Sequence, residues 1–246
     1  MVQKQVLSNL ISKYYLNGEI KSSKWKCSDG CINAKFINNS RIVFGEISTK
    51  NINFPPSEII IWNTEKILKI LNILDNELLI DIKRDKINLQ DTNYNVTYQV
   101  GTDHQTIPPT NFTNKPNVNF TITQEFITRF IKSKDALNGI ELFTVETDKG
   151  FNGNELVFKI GDQVDEIEFR AKINEDDHLP KPSSRTHGIP FNANILKEIL
   201  KCNKTCLSGE FSIYYKSDKY GNEKCIIVLE FEEDQVKSKY HLVRNQ

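Results

Sequence analysis

Apolar residues recur along this chain in one short pattern, a neighbouring pair followed by a second pair a helical turn later. Val6-Leu7 with Leu10-Ile11, Phe126-Ile127 with Phe130-Ile131, and Ile195-Leu196 with Ile199-Leu200 occupy i, i+1, i+4 and i+5. Ile67-Leu68 with Leu71 keeps the first three positions and has Asn72 at the fourth. On a 3.6-residue helix each set forms a single apolar stripe. The first and third occurrences lie roughly 120 residues apart and the second and fourth roughly 130, the mark of an internal repeat. Between them apolar and polar residues alternate with the period of β-sheet.

The pattern predicts helices over 3–16, 64–74, 124–133 and 193–204. Asn17-Gly18 ends the first, Asn63 and Thr123 cap the second and third, and Glu65 lies in a first turn where the helix dipole favours it. Strands are expected at 23–27, 32–37, 41–48 and 58–62, then at 78–83, 86–90 and 94–100. A second series falls at 118–122, 140–147, 155–160, 164–173, 189–191, 209–216, 224–232 and 237–243. Residues 101–117 contain Pro108, Pro109 and Pro116 and no periodicity, so they read as a connector. Residues 174–185, with Pro180 and Pro182, read as a polar loop, and 217–221 as a turn. The expectation is an α+β protein of two repeated domains, 1–107 and 118–246, joined by a linker at 108–117. Each domain holds two helices packed on antiparallel sheets.

Charge matters here through its distribution, because 32 basic residues balance 32 acidic ones. Each helix must bury its stripe, so its opposite face points away from the core. At 100° per residue, Lys69 falls opposite the second stripe with Lys66 beside it, and Lys132 opposite the third with Arg129 beside it. Lys201 falls opposite the fourth, flanked by Lys197 and Lys204. The first helix turns Ser8, Asn9 and Ser12 outward, with Lys4 and Lys13 on its flanks. Opposing acids on these faces are few, chiefly Glu125 and Glu198. Acid gathers at predicted sheet and loop positions instead: Asp162, Asp165, Glu166, Glu168, Glu175-Asp176-Asp177, and Glu230 to Asp234. One face is therefore suited to phosphates.

Catalytic motifs are missing. The four histidines, His104, His178, His187 and His241, form no zinc-peptidase spacing, and no nucleophile elbow, phosphate loop or dinucleotide-binding glycine pattern occurs. Cys27/Cys31 and Cys202/Cys206 have loose zinc-ligand spacing but lie in different expected domains, so reduced cysteines and no metal are expected. No apolar run approaches the ~20 residues of a membrane span, and the start lacks a secretory signal. An intracellular protein without cofactor follows as the expectation.

Asn63 to Leu71, Val118 to Leu137, Cys225 to Phe231 and Ser238-Lys239-Tyr240-His241-Leu242-Val243 together resemble the DNA polymerase sliding clamps. The likeness is greatest to the processivity clamps of tailed bacteriophages, within the fold shared with proliferating cell nuclear antigen, and covers nearly the whole chain. That resemblance implies a homotrimer closing as a six-domain ring round double-stranded DNA, held without base readout. It implies a DNA polymerase and a clamp-loader ATPase as partners, in the cytoplasm of an infected host cell, with no membrane and no catalysis. Helix phase and the resemblance together make Lys13, Lys66, Lys69, Arg129, Lys132, Lys197, Lys201 and Lys204 DNA-facing.

The resemblance further implies a partner-peptide pocket of Ile37, Ile42, Phe44, Ile107, Phe112, Cys225, His241 and Val243. It implies a strand-to-strand subunit contact through Tyr94, Val96 and Tyr98 on one side and Ile167, Phe169 and Ala171 on the other. The competing reading is a β-rich phage structural or interaction protein without DNA. A single-strand binder would need aromatics interleaved with basic residues on a sheet face, and Tyr14-Tyr15, Trp25 and Tyr214-Tyr215 are too dispersed for that.

Overall fold

A computed structural model describes residues 1–101, 106–110, 115–150, 153–161, 165–173, 189–217 and 223–244. The chain divides into two units, Met1–Thr110 with Glu232–Lys239, and Asn111–Phe231 with Tyr240–Gln246. The exchange of the 232–239 segment into the first unit is not visible in the pattern of apolar positions.

The first unit runs β1 (Val2–Gln3), α1 (Lys4–Tyr15), β2 (Ser23–Ser28), β3 (Cys31–Ile37), β4 (Val43–Thr49), β5 (Ser57–Ile61), α2 (Thr64–Ile73), β6 (Glu77–Lys83), β7 (Lys86–Gln90) and β8 (Asn95–Gln99). The remaining elements repeat that order: β9 (Val118–Ile122), α3 (Gln124–Ala136), β10 (Leu142–Gly150), β11 (Gly153–Gly161), β12 (Glu166–Lys172), β13 (Ile189–Asn192), α4 (Ala193–Cys202), β14 (Gly209–Ser217), β15 (Glu223–Glu233) and β16 (Val236–Val243). The motif β-α-β-β-β thus occurs four times. It is an α+β fold whose strand pairings are antiparallel throughout.

The motifs interlock in pairs, because the strand before each helix joins the sheet of the other motif. β1 pairs with β6 through Val2 opposite Leu78, and β5 pairs with β2 through Ile61 opposite Ser23. Likewise β9 pairs with β14 and β13 with β10. The sheets run β1-β6-β7-β8 and β5-β2-β3-β4, then β9-β14-β15-β16 and β13-β10-β11-β12. In three motifs the first helical N–H donates across this join: Lys4 to the Asn76 carbonyl (2.8 Å), Thr64 to Lys21 (3.0 Å) and Ala193 to Glu141 (2.7 Å). At the start of α3 the Gln124 side-chain amide donates instead to the Lys204 and Cys206 carbonyls.

Local chemistry sets the helix ends. Asn63 Oδ1 accepts from Lys66 N (2.8 Å), Thr123 Oγ1 from Phe126 N (3.2 Å) and Asn192 Oδ1 from Ile195 N (2.9 Å), each satisfying an otherwise orphaned donor. α1 ends as Leu16 and Asn17 turn left-handed, at φ 46° and 54°, before Gly18. The apolar stripes face inward: Leu7, Leu10 and Ile11, then Ile67 and Leu71, then Phe126, Ile127 and Phe130, then Ile195, Leu196, Ile199 and Leu200 are all buried. In the second unit the core is aromatic. Phe126 packs against Phe120, Phe158, Phe169 and Phe211 with ring centroids 5.1–6.4 Å apart, contacts that add to simple area burial. Among the described residues no helix is long and apolar enough to cross a membrane.

Candidate nucleic-acid interface

Within each unit two helices lie side by side, α1 against α2 and α3 against α4. Their outward faces carry the cations. On α2, Lys66 and Lys69 are exposed; on α3, Arg129 and Lys132 are exposed; on α4, Lys201 is exposed and Lys197 half-buried, and Lys204 is exposed just beyond the helix end. Phase and burial agree here because the buried stripe fixes the rotation of each helix.

The same faces also carry carboxylates that neutralise half of these cations. Lys69 pairs with Glu65 and Arg129 with Glu125, each at 2.5 Å with i,i+4 spacing; Lys201 pairs with Glu198 at 3.2 Å and Lys197 with Asp135, linking α4 to α3. Lys66, Lys132 and Lys204 have no acidic partner within 4 Å among the described residues. The pairs shift titration as expected: Lys69 holds the Glu65 carboxyl below its ordinary range, and Lys197 does the same to Asp135. Exposed pairs of this kind are weak in water, so a phosphate can displace the carboxylate.

Lys13 departs from the outward position expected of it. Its side chain is 1% exposed and its ammonium donates to Glu233 Oε2 at 3.0 Å, so it lies inside the first unit and off the exposed helix face. A basic residue on the flank of a stripe has its fate settled by what packs there, and a carboxylate 220 positions away does so. Lys134 was not singled out by the helix phase, yet it is fully buried and its Nζ donates to the Leu137 (3.3 Å) and Asn138 (3.1 Å) carbonyls at the end of α3. Burial, with Lys197 nearby, lowers its pKa.

The expected contact strands both lie at sheet edges, β8 at one end of β1-β6-β7-β8 and β12 at one end of β13-β10-β11-β12. Along β8, Val96 is half-buried and Tyr98 buried, its hydroxyl accepting from Asn63 N (3.0 Å) and donating to the Asn63 carbonyl (3.1 Å). Tyr94, just before the strand, is 50% exposed. On β12, Ile167 and Ala171 are half-buried, while Phe169 is buried against Phe126 and Phe158.

Of the expected pocket residues, Ile37 and Phe44 face each other across β3 and β4 and are buried, as are Cys225 and His241 in the second unit. Ile42, Ile107 and Val243 are the ones that keep exposed apolar surface. Phe112, His104, His178, His187, Asp162, the loop at 174–185 and most of the turn at 217–221 lie outside the described residues. Cys27 and Cys31 sit in the first unit and Cys202 and Cys206 in the second, all as free thiols, with burial pushing Cys27 up to about 11. No group of three metal-ligating side chains occurs among the described residues.

Paired helices with cationic outer faces, carried on a fourfold β-α-β-β-β repeat, make up the clamp fold of the proliferating cell nuclear antigens. That antigen from Entamoeba histolytica matches 99% of this chain with 96% of its own at a TM-score of 0.70 and 14% identity. The A. fulgidus antigen, solved with the C-terminal region of FEN-1 bound, matches 100% of this chain and 97% of its own at 0.68 and 12% identity. The Sulfolobus tokodaii PCNA2–PCNA3 complex supplies a further match at 0.69 and 12% identity, covering 100% of this chain and 98% of that one. No protein-family model and no curated protein sequence matches the chain.

Proposed function

We propose that this chain is a sliding clamp of the tailed-bacteriophage type, which encircles duplex DNA as a homotrimeric ring of six domains and tethers the replicative DNA polymerase. The observation that carries the reading is the placement of cations on the outer faces of α2, α3 and α4 within a clamp fold. Lys66, Lys69, Arg129, Lys132, Lys197, Lys201 and Lys204 would meet phosphates without reading bases, and Lys13 leaves that set. Head-to-tail contact between β8 of one copy and β12 of the next closes the ring, two edge strands supplying unpaired backbone groups to each other. Exposed apolar surface at Ile42, Ile107 and Val243 serves an apolar anchor of the polymerase. A clamp-loader ATPase opens and places the ring. The protein contributes topology and no chemistry of its own, in the cytoplasm of the infected host.

The test is retention on DNA after loading: a protein held on nicked circular DNA and released when that DNA is linearised behaves as a ring, whereas equal loss from both forms refutes the reading. One observation favours a second reading, an interaction protein without DNA. Four of the seven helix cations are already paired with carboxylates, and a face serving solubility alone would look the same. The salt dependence of DNA retention separates the two, since displaced counterions give a slope that a non-binding scaffold lacks.

A further inference from the structure

Both free strand edges are electrically polarised along their length. At the C-terminal end of β8, Gln99 lies opposite Lys86 of β7, and Lys66 lines a cleft of about 270 Å³ with Trp62, Asn63, Tyr98 and Gln99. At the N-terminal end of β8, the turn that brings Asp91 N to the Tyr94 carbonyl also places Asp91 Oδ1 against Tyr94 N (2.6 Å), with Asp75 held to Asn93 (2.9 Å). That edge is acidic at its start and basic at its finish. The β12 edge has the same polarity: Glu166 is exposed where the strand begins, and Lys172 is exposed where it ends. The central residues of β8, Asn95, Thr97 and Gln99, are exposed and uncharged.

Two edges of like polarity fit in one direction only. Laid antiparallel, the basic end of β8 meets Glu166 and the acidic end meets Lys172. Laid parallel, acid meets acid and base meets base, which costs free energy and rejects that arrangement. The occupant with the right chemistry for β8 is therefore β12 of a second copy of this chain. Trp62 adds an apolar wall at the basic end. It is 50% exposed, and its indole lies so close over Gly101 that a Cβ there would sit 1.7 Å from Nε1.

We infer that contact between copies is keyed by charge, Lys86 and Lys66 of one copy clasping Glu166 of the next, with Lys172 against Asp91 and Asp75 at the other end. This rests on the ring proposed above and adds its direction and its sensitivity to salt. An interface keyed this way loosens as ionic strength rises, since exposed charges are screened beyond a Debye length of about 10 Å at 0.1 M.

The experiment is light scattering over a wide protein concentration range at low and high salt, on wild type, Lys86→Glu, Glu166→Lys and the double charge swap. Neither residue is assigned to DNA. Each single reversal is expected to raise the concentration of half-assembly roughly 10-fold or more at low salt, and the double swap to recover most of it. Far-UV circular dichroism of each variant confirms that it is folded. A wild type that assembles while the reversals assemble equally well, or a double swap that recovers nothing, overturns the charge key and leaves the ring intact. A wild type that stays monomeric under every condition overturns both.

Discussion

Replacing Lys13 with Met separates two roles that a lysine on α1 can have. The side chain is 1% exposed, its Nζ is 3.0 Å from Glu233 Oε2, and the Glu233 side chain is 25% exposed. Methionine keeps the length and apolar stem, so little packing is lost and the change is chiefly electrostatic. Removing one partner of a fully buried pair costs about 3–5 kcal/mol. Water reaches Glu233 on a quarter of its surface, which reduces the expected loss to about 1–2 kcal/mol. In a unit of this size that lowers the unfolding midpoint by roughly 3–8 °C. Differential scanning calorimetry reads the shift, and Lys13→Met with Glu233→Met together should recover much of it, because an apolar pair replaces an ionic one. Retention on circular DNA should keep the wild-type salt slope. A variant that melts with the wild type and loses DNA retention would refute the reasoning, since the ammonium would then face outward in solution.

Charge reversal at Lys69, Lys132 and Lys201 together should abolish loading-dependent stimulation of the polymerase while leaving the melting temperature within a few degrees; unchanged stimulation removes these residues from the DNA face. Phe126→Ala, in the aromatic core of the second unit, should cost about 3–5 kcal/mol in denaturant unfolding, and a loss below 1 kcal/mol would mean the cluster repacks around the gap. The Asp135 carboxyl is held below its ordinary value by Lys197, so its contribution is present above about pH 4 and is lost as pH falls through the lowered folded value. Asp135→Asn should therefore be less stable than wild type at neutral pH, by a margin kept small because Asp135 is half-exposed, and the two curves should converge towards pH 3; a gap that widens on acidification contradicts the linkage.

Much of the fold was legible because its signals are local. The i, i+1, i+4, i+5 stripes placed four helices within a few residues of their observed bounds, and Asn63 and Thr123 cap as their position before a stripe requires. The two-residue strand β1 was not visible, since Val2–Gln3 is too short to show alternation and exists only through its pairing with Leu78 and Glu77. On the candidate interface, helix phase identified the outward cations, and the i,i+4 pairs Glu65–Lys69 and Glu125–Arg129 were readable from spacing alone. The link from Lys197 to Asp135 was not, because it joins two helices.

The sequence by itself determined the type, order and duplication of the elements, because a 3.6-residue or two-residue period is a property of neighbouring positions and survives without tertiary context. Only the tertiary structure decided which strands exchange between motifs, that β8 and β12 are edges, and that Lys13 and Lys134 are buried while Lys66 and Lys132 are open. The physical reason is distance along the chain. An element's face follows from residues three or four apart, but the solvent exposure and the partner of each charge follow from whatever the fold brings against it, and for Lys13 that is a carboxylate 220 residues away.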